Sequence, residues 1–164
     1  MIALTTGAPG AGKGSLCAKL AADLGFHHLS VGDHLRQLAC SGRMDPEILN
    51  KIQKSILLDL RLLIDGVPRT LEQAAPIEEA GSMPDGSIGS PYLVLFFDCP
   101  GALARQRFLT RQLPGRIDDG STFDARYQQY CAENTRILAH YQRRGVLVKV
   151  WGRILLLVFD QGVC

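Results

Sequence analysis

The chain has 164 residues, of which 46% are hydrophobic and 21% charged, and a formal net charge of +2. This length suits one domain with one sizeable core and is too short for two. A net charge so close to zero gives no electrostatic reason to expect a nucleic acid or a membrane surface as a partner. We therefore expect residues 1–164 to form a single domain that binds neither.

The cysteines are odd in number and widely spaced, at Cys17, Cys40, Cys99, Cys131 and Cys164. The sequence has no C-x-x-C pair and no run of Cys and His, so it predicts free thiols in a reducing compartment, without a zinc site or a disulfide framework. The apolar stretch at residues 1–6 has no basic region before it, unlike a signal peptide. We expect a cytoplasmic protein, and a monomer.

Strand-like and helix-like segments alternate from the start of the chain. Residues 2–6 form a short β-rich apolar run that ends in a glycine loop, and leucines at helical spacing follow the loop. Residues 28–30 are a candidate second strand. Helical patterns follow over residues 31–40 and over residues 44–54, where an Asp-Pro pair marks the helix start.

The middle of the chain continues this alternation. Residues 60–64 are a candidate buried strand, and a helical pattern follows over residues 69–80. Residues 81–91 are rich in Gly, Ser and Pro, which predicts a surface loop. Residues 93–97 are the clearest strand, since an all-apolar run is typical of a strand buried on both faces of a parallel sheet.

The last part of the chain is dominated by a long amphipathic helix. A shorter helix over residues 102–111 and a loop over residues 112–122 come before it. Its apolar stripe consists of Phe123, Tyr127, Tyr130, Ile137 and Tyr141. Residues 146–150 then form a final strand. The alternation as a whole predicts an α/β fold, with a mainly parallel sheet and helices on both faces.

The glycine loop matches the first seven positions of the P-loop pattern G-x-x-x-x-G-K-S/T. Backbone N–H groups of such a loop point inward and bind phosphate oxygens, and the following helix directs its positive end to the same place. At the hydroxyl position stands Gly14, and Ser15 follows one residue later. Phosphate binding is therefore predicted at Gly7, Pro9, Gly10, Ala11, Gly12, Lys13, Gly14 and Ser15.

The loop, read as G-x-P-G-x-G-K-G-S, resembles the form found in adenylate and UMP-CMP kinases. Further segments resemble this nucleoside monophosphate kinase family in the same order, at residues 28–36, 63–73, 94–100 and 115–119. The resemblance implies a P-loop NTPase-type fold with a short lid loop at about residues 112–122. It also implies transfer of the γ-phosphoryl group of ATP, with Mg²⁺, to a nucleoside monophosphate.

The same resemblance implies roles for residues on the acceptor side. Arg36 and Arg69 would hold the phosphate of the monophosphate substrate. Gln73 matches the glutamine that reads adenine in the family, and it favours AMP as the acceptor. Asp65 matches a carboxylate that helps to hold Mg²⁺ through water, together with Ser15.

On the donor side, the resemblance places several arginines around the transferred phosphoryl group. Arg111, Arg116 and Arg126 match these arginines, and Arg107 matches one that lies along ATP. Arginine suits phosphoryl transfer because it is always charged and can donate two parallel hydrogen bonds to a phosphate. Lys13 would contact the terminal phosphates of ATP.

The sequence also departs from the family pattern. The family normally carries a longer segment before Asp65, so the acceptor-binding arm is reduced here to about residues 31–60. An apolar run replaces the usual polar loop and final helix at the end of the chain. The leading hypothesis is an AMP kinase. Three alternatives stay open: a UMP/CMP kinase, a nucleotide-binding protein impaired in transfer, and a P-loop kinase for a non-nucleotide small molecule, which Gln73 and the pair of Arg36 and Arg69 disfavour. Asp118 and Asp119 are either ion-pair partners of Arg116 or part of lid closure, and the histidines receive no role.

Overall fold

The structure is a computed structural model that describes residues 1–32, 46–80, 91–111 and 118–151. Its strands are β1 (Ile2–Gly7), β2 (His27–Ser30), β3 (Leu62–Asp65), β4 (Leu93–Asp98) and β5 (Leu147–Trp151). Its helices are α1 (Lys13–Leu24), α2 (Pro46–Leu57), α3 (Ala74–Ala80), α4 (Gly101–Thr110) and α5 (Gly120–Arg143), with a 3₁₀ turn at Leu71–Gln73. The five predicted strands are therefore confirmed, each within two residues at either end.

The strands form one sheet in the order β2-β3-β1-β4-β5, and every neighbouring pair is parallel. Parallel strands end at the same edge of a sheet, so the segments that follow β1, β3 and β4 come together at the carboxyl edge. β1 is central, with β3 and β4 as its neighbours, and open parallel sheets bind ligands at this kind of position. The predicted α/β fold with a parallel sheet is confirmed.

Alternate residues of the central strands face two separate cores. Ile2 and Leu4 of β1 pack in a cluster with residues of α2, α3 and α5. Ala3, on the opposite face of β1, packs with Cys17 of α1 and Leu63 of β3. Helices therefore cover both faces, as the apolar composition of the strands predicts. The stripe on α5 also faces the interior, since Phe123, Ile137 and Tyr141 are buried.

The helix predicted over residues 69–80 begins later than expected. Thr70 is extended, with φ −132° and ψ 157°, and regular α-helix starts only at Ala74, after the 3₁₀ turn. The physical reason is a competing hydrogen bond, because the side-chain oxygen of Gln73 accepts from the backbone N–H of Arg69 at 2.9 Å. Arg69 is thereby fixed in the loop after β3.

The loop predicted over residues 112–122 ends earlier than expected, because α5 already begins at Gly120. Asp119 is the N-cap of α5, and its carboxylate accepts a hydrogen bond from the Thr122 backbone N–H at 2.7 Å. Residues 112–117 of this loop lie outside the described residues. So do most of the predicted helix over residues 31–40 and of the predicted loop over residues 81–91.

Candidate nucleotide-binding site

The glycine loop joins the carboxyl end of β1 to the first turn of α1, as the motif predicts. Gly7, Gly10 and Gly12 have φ values of 146°, 80° and 89°, which residues with a side chain rarely adopt. At Gly10 a Cβ atom would also collide with the backbone oxygen of Ala104 in α4. This loop therefore has its shape because glycine occupies both the strained and the crowded positions.

Lys13 is the first residue of α1, and its side chain folds back over the loop. Its Nζ donates hydrogen bonds to the backbone oxygens of Gly7 and Ala8, both at 2.8 Å. Removal of the ammonium group from water lowers the pKa of Lys13 from 10.5 to about 8, and the positive charge of Arg69 acts in the same direction. The negative charge of Asp65 opposes this shift.

Asp65 is the last residue of β3 and lies beside the P-loop at the carboxyl edge. It is opposite Thr5 of β1 in the sheet register, and the Thr5 hydroxyl donates to its Oδ1 at 3.0 Å. Its Oδ2 faces α1, because a Cβ atom at Gly14 would be 3.5 Å from it. Asp65 therefore has a hydrogen-bond partner within the protein. Asp65 is only 9% exposed, whereas Ser15 is exposed.

Arg69 and Gln73 are held together in the loop that follows β3. Arg69 Nε donates to the backbone oxygen of Gly66 at 3.1 Å, in addition to the backbone bond with Gln73. Burial lowers the pKa of Arg69, and the charge of Arg126 lowers it further. Arg69 therefore lies in the same electrostatic environment as Lys13 and Arg126. Gln73 is 5% exposed, so its carboxamide is almost completely enclosed.

The arginines predicted on α4 and α5 meet at one aromatic ring. The guanidinium carbon of Arg111 is 4.2 Å from the centre of the Phe108 ring, and that of Arg126 is 5.7 Å from it. Arg111 also forms a two-pronged ion pair with Asp118, with Nε–Oδ2 and Nη2–Oδ1 distances of 2.6 and 2.9 Å. Asp118 thus pairs with Arg111, while Asp119 caps a helix.

Of the remaining candidate residues, the structure describes one and leaves two outside the described ranges. Arg107 reaches the end of β4, where its Nη1 is 3.9 Å from Cys99 Sγ. Arg36 and Arg116 lie outside the described residues. The structure therefore brings together Lys13, Asp65, Arg69, Arg111 and Arg126 at the carboxyl edge of the sheet. Their roles in catalysis and binding stay predictions.

Sequence reasoning gave no role to two residues that the structure places beside Asp65. His28 Nε2 is 3.9 Å from Asp65 Oδ2, and Cys17 Sγ is 3.7 Å from Thr5 Oγ1. Burial, and then the negative charge of Asp65, raises the pKa of the Cys17 thiol to about 12. The sequence predicted that β2 and β3 belong to one parallel sheet. It did not predict that these two strands are neighbours, so the positions of His28 and Cys17 beside Asp65 could not be inferred from it.

Known proteins resemble the chain over most of its length. A family model described as an AAA domain matches residues 6–122. UMP-CMP kinase 2 of Oryza sativa subsp. japonica is 36% identical over an alignment that is 169 residues long with its gaps. The alignment covers 91% of this chain and 66% of that protein. Adenylate kinase isoenzyme 1 of Homo sapiens is 32% identical over 171 residues, covering 91% and 84%. UMP-CMP kinase of Prunus armeniaca is 32% identical over 169 residues, covering 91% and 70%.

The described part of the chain contains five α-helices, α1 to α5. None of them is both long enough and apolar enough to cross a bilayer. The parallel sheet, the P-loop at its carboxyl edge and the similarity to named kinases over 91% of the chain lead to one conclusion. The chain belongs to the nucleoside monophosphate kinase family of P-loop phosphotransferases.

Proposed function

We propose that the protein transfers the γ-phosphoryl group of Mg·ATP to a nucleoside monophosphate, with AMP as the preferred acceptor. One observation carries this proposal: the P-loop that bears Lys13 packs against Phe108, whose ring contacts both Arg111 and Arg126, and a Cβ atom at Gly10 would be 3.2 Å from the Phe108 Cβ. Several fixed cations beside the P-loop suit two phosphorylated substrates that meet end to end, because they offset the charge on both phosphates during transfer.

The chemistry requires little covalent help from the protein. The attacking group is a phosphate oxygen, which needs no strong general base, so positioning and charge stabilisation dominate catalysis. Backbone N–H groups of the P-loop and the positive end of α1 would hold the phosphates of ATP. Lys13 would place a full positive charge at the β- and γ-phosphates, and Arg107 would lie along the nucleotide.

The arginines would stabilise the phosphoryl group during transfer. Arg111, Arg116 and Arg126 are the proposed catalytic arginines, together with Arg69. The shared contact of Arg111 and Arg126 with the Phe108 ring supports this role, because it holds two like charges close together. In-line transfer between two anions benefits from such fixed cations, since they need no rearrangement when charge develops.

Asp65 and Ser15 are the residues proposed to hold Mg²⁺, in part through water. Their oxygens suit this ion, which binds through one or two carboxylates and the phosphates of its substrate. The position of the Asp65 carboxylate beside Gly14 supports the assignment. When bound, Mg²⁺ would neutralise charge on the phosphate oxygens.

The acceptor side rests on Arg36, Arg69 and Gln73. Arg36 and Arg69 would bind the phosphate of the monophosphate, and Gln73 would read the base. The side chain of Gln73 carries both donor and acceptor atoms, as the adenine edge does, and this favours AMP. Similarity to adenylate kinase isoenzyme 1 of Homo sapiens is consistent with AMP. A preference for UMP or CMP is the second candidate, favoured by the similarity to UMP-CMP kinase 2.

A coupled assay for ADP formation tests the proposal, run with ATP and AMP, UMP, CMP or no acceptor. We expect the highest kcat/KM with AMP and, without an acceptor, only slow formation of ADP by hydrolysis of ATP. A preference for UMP or CMP would support the second candidate. ATP binding without transfer to any monophosphate would overturn the proposed activity and indicate a nucleotide-binding protein impaired in transfer.

A further inference from the structure

Three side chains of different chemistry meet beneath the P-loop. The thiol of Cys17, the imidazole of His28 and the carboxylate of Asp65 each offer one ligand atom, and these atoms all lie within 4.8 Å of one another. They come from α1, β2 and the end of β3, so the tertiary fold assembles the cluster. Phosphoryl transfer as proposed above uses Asp65 but needs neither a thiol nor an imidazole.

The donor set selects a particular class of cation. A sulfur, a nitrogen and an oxygen donor suit Zn²⁺ and related ions such as Co²⁺ and Cd²⁺, whereas Mg²⁺ prefers oxygen alone. Zinc sites with three protein ligands leave a fourth position for water. Water can reach this cluster through His28, whose side chain is 23% exposed, while Cys17 is completely buried.

The geometry requires only a small contraction. Ligand atoms around a tetrahedral Zn²⁺ lie about 3.3–3.8 Å apart, given metal–ligand distances of about 2.0–2.3 Å. The His28 Nε2 to Asp65 Oδ2 distance of 3.9 Å is already close to this value. All pairs of ligand atoms lie within 4.8 Å, so none has to approach by more than about 1.5 Å. The Thr5 hydroxyl, which contacts Asp65 at 3.0 Å, would orient the carboxylate.

We propose that Cys17, His28 and Asp65 form a binding site for a transition-metal cation of the Zn²⁺ class. On binding, the Cys17 thiol releases its proton to water and the sulfur forms the bond to the metal, while His28 binds through a neutral imidazole nitrogen. Because the site takes Asp65, a bound Zn²⁺ excludes Mg²⁺ from that carboxylate. The consequence is inhibition by Zn²⁺, and this part alone depends on the proposed function.

Direct metal binding tests the site without any nucleotide. The full chain, reduced and freed of metal, is titrated with Co²⁺ and followed by absorption, and with Zn²⁺ and followed by calorimetry. We expect one equivalent to bind with a thiolate-to-cobalt charge-transfer band. Cys17→Ser should abolish that band, and His28→Asn should weaken Zn²⁺ binding at least about tenfold.

Matched controls come from the same chain. Cys131→Ser removes an exposed thiol and His27→Asn removes the neighbouring imidazole on β2, and both should bind Zn²⁺ within about twofold of the unchanged protein. Circular dichroism checks folding; if Cys17→Ser does not fold, His28→Asn decides alone. Unchanged Zn²⁺ affinity in His28→Asn, or a cobalt band that survives in folded Cys17→Ser, would overturn the proposal.

The inhibition is measured separately in the ADP-forming assay at saturating Mg·ATP. We expect Zn²⁺ to inhibit the unchanged protein, and His28→Asn to require at least about tenfold more Zn²⁺ for the same inhibition. Equal inhibition of both proteins would contradict a functional link between this site and catalysis. If the protein proves inactive, the titrations with Co²⁺ and Zn²⁺ still decide whether the site exists.

Discussion

Lys13 combines a proposed role in phosphate binding with a penalty for folding. Its ammonium group is drawn out of water onto the P-loop, which lowers its pKa from 10.5 to about 8. At neutral pH this shift corresponds to about 3 kcal/mol of lost stability, and two hydrogen bonds offset part of it. We expect the free energy of unfolding of Lys13→Met to be higher than that of the unchanged protein by about 1–3 kcal/mol.

The pH dependence gives this prediction a definite sign. The folded-state pKa lies below that of the unfolded chain, so the penalty is complete below pH of about 8 and disappears as the pH rises to 10.5. Denaturant unfolding at pH 7 and at pH 10 should therefore show the advantage of Lys13→Met shrinking at the higher pH. An advantage that does not change with pH would contradict this explanation.

Lys13→Met should also lose function while it gains stability. If Lys13 contacts the terminal phosphates, the variant should bind ATP or transfer its phosphoryl group at least about 100-fold less well. Lys19→Met is the matched control, because Lys19 is an exposed lysine on the same helix that pairs only with Asp23 at 3.0 Å among the contacts described. The ATP affinity and turnover of Lys19→Met should stay within about twofold of those of the unchanged protein. A folded Lys13→Met with unchanged ATP affinity and turnover would contradict the P-loop assignment.

Asp118 is predicted to act through Arg111. Its carboxylate is 7% exposed and holds the Arg111 guanidinium by two hydrogen bonds against the Phe108 ring. We expect Asp118→Asn to lower kcat at least about tenfold with a smaller change in the KM for ATP, because Arg111 would lose its orientation and keep its charge. Steady-state kinetics measure this separation of kcat from KM.

The free energy of unfolding gives a second test of the pair between Asp118 and Arg111, with Asp124→Asn as the matched control. Loss of the partly buried pair should reduce the free energy of unfolding by about 1–3 kcal/mol. Asp124→Asn breaks a more exposed pair with Arg105, at 3.7 Å, and should change it by less than about 0.5 kcal/mol. A kcat that is unchanged in Asp118→Asn would show that the ion pair has no part in positioning.

At the level of elements, the P-loop depends on the position of α4. Gly10 has a φ of 80°, and a Cβ atom there would collide with the Ala104 carbonyl of α4. Gly25 has a similar φ of 67°, but a Cβ atom added there would meet no atom within 4 Å. We expect Gly25→Ala to reduce stability by about 1 kcal/mol without changing ATP affinity. Gly10→Ala should lose more stability and weaken ATP binding at least about tenfold.

The comparison of these two variants separates backbone strain from crowding. Both are measured by denaturant unfolding and by ATP titration calorimetry. If Gly10→Ala behaves like Gly25→Ala in both measurements, the contact between the P-loop and α4 does not shape the phosphate site.

Elements with strong local patterns were predictable from the sequence. The all-apolar run of β4 and the glycine loop before α1 have the expected bounds within one residue. Arg69 was expected to start a helix, and the hydrogen bond from its backbone to Gln73 instead keeps it in a loop. That bond depends on side-chain orientation, which periodicity does not record. For the same reason, the pairing of Arg111 with Asp118 was not expected.

Contacts between distant elements were the least predictable part of the candidate site. The approach of His28 to Asp65 depends on β2 and β3 being neighbours in the sheet. The order of the strands along the chain does not show which strands are adjacent in the sheet, because β3 pairs with β1 as well as with β2. The resemblance to the kinase family led to the arginines, but it implied no role for Cys17 or His28.

For the molecule as a whole, the predicted shortening of the acceptor arm should weaken the binding of AMP more than that of ATP. A monophosphate held mainly by Arg36 and Arg69 would keep its phosphate contacts and lose part of the wall around its base. We therefore expect ATP to bind more tightly than AMP, and transfer to be slow with some hydrolysis of ATP. Calorimetric titration with each nucleotide alone tests this. Tight AMP binding with no hydrolysis would show that the arm is sufficient as it stands.

The fate of the γ-phosphoryl group tests the central claim most directly. The protein is incubated with Mg²⁺, AMP and ATP labelled in the γ-phosphoryl group, and the products are separated by chromatography. If the P-loop and its neighbouring arginines form a kinase site, the label should appear in ADP formed from AMP, and Lys13→Met should abolish this product while Lys19→Met retains it. Label found only in ATP and inorganic phosphate, with no labelled ADP, UDP or CDP when AMP, UMP or CMP is supplied as the acceptor, would contradict the account.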